Sequence, residues 1–182
     1  MIEYSPVGLF SLKSSLATST VGKTLLVPTP YAIKMALVDA AFRAGRGYDY
    51  CANFTRLLAE VDIRIASPQK AVVTHTFVKV RQESRKNDPL RPYGGNIAYR
   101  EVVYHDGTWR WAFSSRTPDA YEAILEASSY VNCIGKRGCF IQYMGFTWVD
   151  SLGMEYTQPV DGCREWVIPP RCHIAELDDF GP

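Results

Sequence analysis

The stretch Thr29-Pro30-Tyr31-Ala32-Ile33-Lys34-Met35-Ala36-Leu37, continued by residues 38–45, decides the fold, because both ends of a helix can be recognised in it. Thr29 is a typical capping residue, and the proline after it fits the first helical turn, where a backbone N–H is not needed. Lys34 lies off the apolar stripe, whose side chains recur at helical spacing: Ile33, Leu37, Ala40 and Ala41. The pattern predicts a helix over Tyr31–Ala44 that stops at Gly45.

Strands and helices are predicted in a regular order on both sides of this helix. Upstream, apolar residues predict a first strand near Val7–Lys13, and the small polar residues 14–22 indicate a loop. Downstream, apolar and β-branched patterns predict helices over Asp49–Glu60 and from Thr117-Pro118 to about Ser128. The further predicted strands are Val61–Ile65, Ala71–Val80, Ile97–Tyr104, Thr108–Phe113, Phe140–Val149 and one near Glu165–Ile168. This β–α–β–β–α–β order, with extra elements, predicts an α+β fold with a ferredoxin-like (RRM-like) sheet.

Two turn regions are predicted between the middle strands. Arg81–Asn96 is the most polar stretch of the chain and contains two prolines, which indicates a protruding hairpin tip or a loop. Asp106-Gly107 stands between two strand-like segments and is a strong signal for a short hairpin. The sequence therefore predicts that Ile97–Tyr104 pairs with Thr108–Phe113.

Charge is unevenly distributed along the 182 residues, although the formal net charge is only +1. The balance is +1 over residues 1–63, +6 over residues 64–116 and −6 over residues 117–182. The near-neutral total argues against a histone-like or tail-driven nucleic-acid binder, whose affinity comes from bulk positive charge. A hydrophobic content of 47% with 21% charged residues excludes a mostly disordered chain. The basic middle indicates a footprint for a polyanion, and its alternative is a solvated strand face.

The sequence contains no complete motif for nucleotide or metal binding. Gly22-Lys23-Thr24 resembles the end of a phosphate-binding P-loop, but Ala17 stands where that motif needs its first glycine. Pro28 follows too closely for the helix that the motif requires. The five cysteines include no CxxC pair, and a zinc site using Cys163, Cys172 and His173 lacks a fourth ligand. We therefore expect no cofactor and no metal.

The sequence contains no recognisable targeting or membrane element. Its first residues lack the basic start and apolar run of a secretory signal. No stretch approaches the roughly 20 apolar residues of a membrane span. Free cysteines in odd number fit a reducing compartment. These features predict a cytoplasmic protein without a membrane partner.

Cations and aromatic residues alternate in the basic middle, as in proteins that bind single-stranded RNA. Trp109 and Trp111 share one strand face, so the alternative for both is a place in the core. Lys136 and Arg137 stand between two glycines, where backbone and side chains could approach a phosphate; the alternative is a tight solvent-exposed turn. The interleaved residues are Lys79, Arg81, Arg85, Lys86, Arg91, Tyr93, Tyr99, Arg100, Trp109, Arg110 and Trp111.

Catalysis is possible in principle but is not indicated by a motif. A metal-free ribonuclease needs a base near a 2′-hydroxyl and a cation near the scissile phosphate. His75 with Lys79, or Tyr99 with Arg100, are the pairs that could supply them. His105 precedes the Asp106-Gly107 turn, and we expect it to be exposed.

Three segments together resemble the CRISPR-associated RAMP proteins of the Cas-five family. Residues 24–37, Thr24 to Leu37, are similar to the proline-then-helix signature after that family's first strand. Ile97-Ala98-Tyr99-Arg100-Glu101-Val102-Val103 resembles the strand that follows its thumb insertion. Ile134-Gly135-Lys136-Arg137-Gly138-Cys139-Phe140 resembles its glycine-containing segment before a later strand. The similarity extends in order over about residues 7–149.

The resemblance implies a subunit of type I Cascade, the RNA-guided surveillance complex. It implies a palm over residues 1–149, an inserted β-hairpin thumb over residues 79–99 and a short C-terminal β extension over residues 150–182. Such a subunit grips the 5′ handle of the crRNA, caps the filament of backbone subunits and contacts the large subunit that reads the PAM. Target DNA within the complex is a further implied partner. Carried over by position, the handle contacts are Lys13, Lys23, Lys136 and Arg137, and the thumb contacts are Arg81, Arg85, Lys86, Arg91 and Tyr93.

Departures from the family pattern limit what the resemblance implies. The chain is short for the family, so its C-terminal β domain must be reduced. One branch of the family cleaves precursor crRNA, but its catalytic set has no clear counterpart in this sequence. We therefore predict a non-catalytic RNA-binding subunit. The alternatives are a metal-independent endoribonuclease and an unrelated small RRM-like adaptor.

Overall fold

The structure, a computed structural model, describes residues 1–13, 23–83, 93–136, 138–160, 172 and 174–180. In chain order its elements are β1 (Ile2–Pro6), α1 (Pro30–Arg43), α2 (Tyr48–Ala59), β2 (Asp62–Ala66), β3 (Lys70–Glu83), β4 (Tyr93–Asp106), β5 (Trp109–Ser114), α3 (Pro118–Ser128) and β6 (Ile141–Phe146). The predicted α+β class is confirmed. The described chain contains no helix with the length and apolar character needed to cross a membrane.

All three helices form where the sequence predicts them. The Thr29 hydroxyl accepts a hydrogen bond from the Ala32 N–H over 3.1 Å, which caps α1. Pro118 likewise begins α3, with Thr117 at the capping position. The helices cover one face of a four-stranded antiparallel sheet with the order β2-β5-β1-β6.

The core lies between this sheet and the helices. Trp109 and Trp111 are fully buried there, and Tyr4 packs on Trp111 with ring centroids 4.3 Å apart. The Tyr4 hydroxyl donates to the Ser128 carbonyl over 2.9 Å, which satisfies its polar atom in the core. Of the two sequence-based alternatives for the tryptophans, the core position is confirmed.

The predicted first strand is wrong in position. β1 spans Ile2–Pro6, where Ile2 and Tyr4 are buried and alternate with more exposed residues. Val7–Lys13 forms no strand, and only Phe10 makes a bridge, to Val103. The Ile2/Tyr4 alternation over five residues was the stronger strand signal, because it places two large side chains on one face.

β3 and β4 form a separate two-stranded sheet, which is a hairpin with 14 residues in each strand. The register runs from Lys70 opposite Asp106 to Glu83 opposite Tyr93, so the hairpin is longer than residues 79–99. The pairing predicted across Asp106-Gly107 is wrong: β4 pairs with β3, whereas β5 pairs with β1 and β2. Gly107 has φ +127°, and the turn redirects the chain so that the two tryptophans of β5 can enter the core.

Residues after β6 return across the other face of the main sheet. Tyr156 is buried against Ala66 and Ala112, and the Thr157 N–H donates to the Ile65 carbonyl over 2.9 Å. The described residues after 149 form no strand, and the one predicted near Glu165–Ile168 lies outside the described chain. That face of the main sheet is therefore partly covered.

Candidate nucleic-acid interface

The base of the β3–β4 hairpin is joined to the main body by residues 10–13. Phe10 and Val103 exchange two backbone hydrogen bonds, each 2.8 Å long. The Ser11 hydroxyl donates to the Glu101 carbonyl over 2.9 Å, and the Leu12 N–H donates to the Thr24 hydroxyl over 2.9 Å. These bonds fix the position of the following residue, Lys13, beside β4.

The glycine turn predicted at residues 135–138 packs against the same loop. The Ser11 N–H donates to the Cys139 Sγ over 3.4 Å. Gly135 has φ +69°, and a Cβ there would lie 3.0 Å from the Leu12 Cδ1, so both backbone and space call for glycine. The Cys139 N–H donates to the Lys136 carbonyl over 3.1 Å, which closes the turn and holds Lys136 near Lys13.

Lys13, Arg100 and Lys136, here called the junction cluster, come from three separate segments and meet at this point. Burial lowers the pKa of Lys136, and the positive charges of Arg100 and Lys13 lower it further. An anion placed between these like charges would reduce their repulsion. The fold therefore concentrates positive charge where the hairpin leaves the body.

Glu101 is the acidic residue next to this cluster in the sequence, but it is held on the other hairpin face. Neighbouring residues of a strand point to opposite faces, so Glu101 and Arg100 diverge. The Glu101 carboxylate accepts from the Thr24 N–H over 2.8 Å and lies 3.1 Å from His75 Nε2. Its charge is therefore engaged away from Arg100. Lys23, directly before Thr24, is exposed at the same junction.

One face of the hairpin carries aromatic and cationic side chains and is here called the aromatic face. The His75 and Tyr99 rings stack with centroids 5.0 Å apart and an interplanar angle of 10°. Phe77 lies opposite Tyr99 and remains 73% exposed. The remaining described members with exposed side chains are Lys79, Arg81 and Tyr93.

The sequence-predicted site residues fall into four groups. The first two are the residues in or beside the junction cluster and the residues on the aromatic face, as described above. Arg85, Lys86, Arg91 and Arg137 lie outside the described residues. Arg110, in contrast, is on the main sheet, where its guanidinium lies 3.6 Å from the Glu155 carboxylate and packs over Tyr156.

His105 is buried, so the expectation that it is exposed was wrong. It is 4% exposed and packs against Phe10 and Trp109, because β4 continues into the body at this point. Burial lowers the pKa of His105. Neither of its ring nitrogens has a hydrogen-bond partner within the described part of the chain.

The two catalytic pairs suggested by the sequence do not form as pairs. His75 and Lys79 share a face but are four residues apart along β3, which separates their backbones by roughly 13 Å. Tyr99 and Arg100 point to opposite faces of β4. The structure instead pairs His75 with Glu101, a contact that cross-strand register creates and sequence spacing does not reveal.

No cluster of three or more metal-ligating residues occurs in the part of the chain that the structure describes. Cys163 and His173 of the suggested zinc site lie outside that part.

Comparison with models of known protein families found no match to this chain, and comparison with curated proteins found no similar sequence. The resemblance to the Cas-five family therefore stays a prediction.

Proposed function

We propose that the protein is a non-catalytic, crRNA-binding subunit of a type I CRISPR surveillance complex (Cascade) that holds the 5′ handle of the guide. In this proposal it caps the filament of backbone subunits and contacts the large subunit. The observation that carries the proposal is the junction cluster, in which Lys13 and Arg100, from distant segments, lie close enough to lower the pKa of Lys136.

The arrangement of strands supports a ferredoxin-like palm with an inserted thumb. The sheet order β2-β5-β1-β6, with α1 and α2 after β1 and α3 after β5, follows the connectivity of that fold. The β3–β4 hairpin is inserted between β2 and β5, which is where a thumb would leave the palm. The resemblance of Ile97–Val103 to the strand after the family's thumb agrees with this position.

The chemistry of the junction supports a phosphate ligand. Lys13, Arg100 and Lys136 present ammonium and guanidinium groups, which are the side chains that bind phosphate oxygens. The Gly135 turn lets its backbone come within contact of Leu12, so the cations stand on a defined surface. A guide phosphate here would replace the mutual repulsion of the cations with attraction.

The aromatic face supports contact with unpaired bases. Tyr99 is the neighbour of Arg100 in β4, on the opposite face, so an RNA strand crossing the edge of β4 meets both. Exposed Phe77 and Tyr93 offer further ring surfaces, and Lys79 and Arg81 add charge for the backbone. Stacking with flanking cations is how proteins bind single-stranded RNA.

The test is to express the tagged full chain together with its neighbouring genes and to analyse what co-purifies. We expect a guide RNA of discrete length that shares a common 5′ segment. Assembly of a normal complex around a guide stripped of that 5′ handle would overturn the proposal. Purification without any RNA or partner subunit would instead favour an unrelated adaptor.

A second candidate function, metal-independent cleavage of precursor RNA, is favoured by one observation. His75 Nε2 lies 3.1 Å from the Glu101 carboxylate, and the histidine side chain is 47% exposed. A carboxylate that orients an exposed imidazole is a common arrangement for general base catalysis. Incubation of the isolated protein with repeat RNA in EDTA tests it: cleavage at one fixed site that is lost in His75→Ala would establish the nuclease, and uncut RNA would exclude it.

A further inference from the structure

Residues 174–180 of the chain, here called the strap, lie against the first turns of α1. The Tyr31 N–H donates to the Asp178 carbonyl over 2.9 Å. This N–H is one of those that a helix leaves without an intrahelical partner at its start. The strap therefore completes the hydrogen bonding of α1, in addition to the cap supplied by Thr29.

A buried lysine is the centre of this contact. Lys34 is 1% exposed, and its ammonium lies 2.8 Å from one oxygen of the Asp179 carboxylate. The same ammonium donates to the Phe180 carbonyl over 3.0 Å and lies 4.9 Å from the centroid of the Phe180 ring. The Lys34 ammonium thus contacts three groups of one dipeptide, Asp179-Phe180: the carboxylate of Asp179 and the carbonyl and ring of Phe180.

An aromatic contact completes the recognition. Tyr31 meets the Phe180 ring edge-on, with centroids 5.9 Å apart and an interplanar angle of 83°. Phe180 is partly buried against the core, whereas the Asp179 side chain remains 40% exposed. The site on α1 therefore offers apolar and aromatic contacts for a ring and a cation for the carboxylate that precedes it.

The ion pair between the strap and α1 lies at the protein surface, because the Asp179 carboxylate that contacts the Lys34 ammonium is 40% exposed. Departure of the strap would open the ammonium to water on this side. The penalty of leaving a charge buried would therefore be smaller than for a pair deep in the core. Twenty residues separate Thr157, whose N–H is bonded to β2, from Asp178. Because the strap is covalently part of the chain, a partner segment must compete with an intramolecular contact.

We propose that the start of α1, around Tyr31 and Lys34, is a docking site for an acidic–aromatic segment of a protein partner, filled in cis by the chain's own strap until that partner displaces it. Charge complementarity to Lys34 and the ring contact with Tyr31 define the partner: a carboxylate followed by an aromatic residue. This inference does not depend on RNA binding.

The test uses the full-length chain and a labelled, end-blocked peptide with the sequence of residues 174–180. In the strap variant Asp179→Asn/Phe180→Ala, we expect micromolar peptide binding by fluorescence anisotropy. The wild type should bind at least tenfold more weakly, because its own strap competes. Adding Lys34→Met to the strap variant should abolish binding.

Peptide variants give the matched control. Asp179→Asn and Glu176→Gln each remove one negative charge, but only Asp179 contacts Lys34, whereas Glu176 is exposed. We expect the first peptide to bind at least tenfold more weakly and the second to bind within twofold. Equal binding of both peptides, or no binding to a strap variant with wild-type near-ultraviolet circular dichroism, would overturn the proposal.

A second measurement applies if the strap variant does not fold. In the wild type, Lys34 should react with an amine-labelling reagent far faster than the core amides of β5 exchange with deuterium, because the strap opens locally. Labelling of Lys34 only at the rate of global unfolding would overturn the proposal. A wild-type dimer that becomes monomeric in Lys34→Met would overturn the cis assignment.

Discussion

Lys136 and Lys34 have surroundings of opposite sign. Lys136 stands at the hairpin base with Arg100 and Lys13, and these cations help to lower its pKa. Lys34 is enclosed by the strap and lies 2.8 Å from the Asp179 carboxylate. A lysine whose neighbours are cations gains most from an incoming polyanion, whereas a neutralised lysine has little to offer one. In the two proposals, this difference separates an RNA-facing side of the molecule from a protein-facing one.

Removal of the junction cluster is expected to have the largest effect. The triple variant Lys13→Gln/Arg100→Gln/Lys136→Gln should bind handle RNA about 100-fold more weakly, since three lost charge-assisted contacts of about 1 kcal/mol each correspond to that factor. Fluorescence anisotropy with a labelled handle RNA measures it.

The control for this variant removes the same charge elsewhere. Arg43→Gln/Arg56→Gln/Arg64→Gln takes three cations from α1, α2 and β2. We expect its RNA affinity to stay within threefold of the wild type. Equal losses in the two triple variants would mean that net charge, and not the junction, determines affinity.

Loss of stacking from the aromatic face should have the next largest effect. Phe77→Ala/Tyr99→Ala should weaken RNA binding by about tenfold or more, because stacking contributes about 1–3 kcal/mol per base. The salt dependence of binding should stay unchanged, since no charge is removed. Tyr48→Ala/Tyr130→Ala is the control, as both tyrosines are exposed on the helical side. A similar loss in both double variants would contradict a role for the hairpin.

Substitution of Lys34 tests the comparison at the strap and not at the junction cluster. Lys34→Met should leave RNA affinity within twofold of the wild type, because this charge is already neutralised. It should lower the free energy of unfolding by about 1–2 kcal/mol through the lost bonds to the strap. Urea denaturation and RNA titration of the same sample measure both. A tenfold loss of RNA affinity in a folded Lys34→Met protein would contradict the separation of the two sides.

His105 extends the comparison to a buried base whose ring nitrogens have no hydrogen-bond partner among the described residues. Its pKa is lowered by burial from the ordinary value of 6.5, so the unfolded chain binds more protons below that pH. The free energy of unfolding should therefore fall as the pH drops below 6.5, by less than about 1.4 kcal/mol per pH unit. His105→Phe should reduce this slope.

The control for the histidine prediction lies within the same pH series. Above pH 7.5, His105 is neutral in the folded and unfolded chains, so the difference in stability between the two proteins should stay constant. Thermal or urea unfolding between pH 5 and pH 8.5 measures both ranges. An acid slope as steep in His105→Phe as in the wild type would show that other groups cause it.

Local sequence patterns predicted the helices well. The burial of Lys34 and the pairing of β5 depend on contacts between distant residues and could not be predicted in this way. The threonine–proline pairs at Thr29 and Thr117 mark α1 and α3 because capping is a property of adjacent residues. Lys34 lies off the apolar stripe of α1, and only the return of residues 174–180, more than 140 positions away, explains its burial. The chain does turn at Asp106-Gly107, but β5 pairs with β1 and β2 and not with β4. This pairing places Trp109 and Trp111 in the core.

The residues of the candidate site could be predicted from the sequence, but their proximity in the fold could not. Its cations were predicted singly from composition and resemblance, since basic residues between glycines or aromatics are visible in a sequence. The proximity of Lys13, Arg100 and Lys136 depends on contacts of Ser11 with Glu101, 90 positions away, and with Cys139, 128 positions away. The His75–Glu101 pair follows from the cross-strand register of β3 and β4, which local sequence spacing does not reveal.

The most direct test of the central claim is the salt dependence of handle-RNA affinity in the wild type and in the Lys13→Gln/Arg100→Gln/Lys136→Gln variant. Each phosphate contact on single-stranded RNA contributes about 0.7 to the slope of log affinity against log salt, so loss of three contacts should flatten the slope by about 2. That result would place the junction cluster on the RNA backbone. Parallel lines for the two proteins would contradict it.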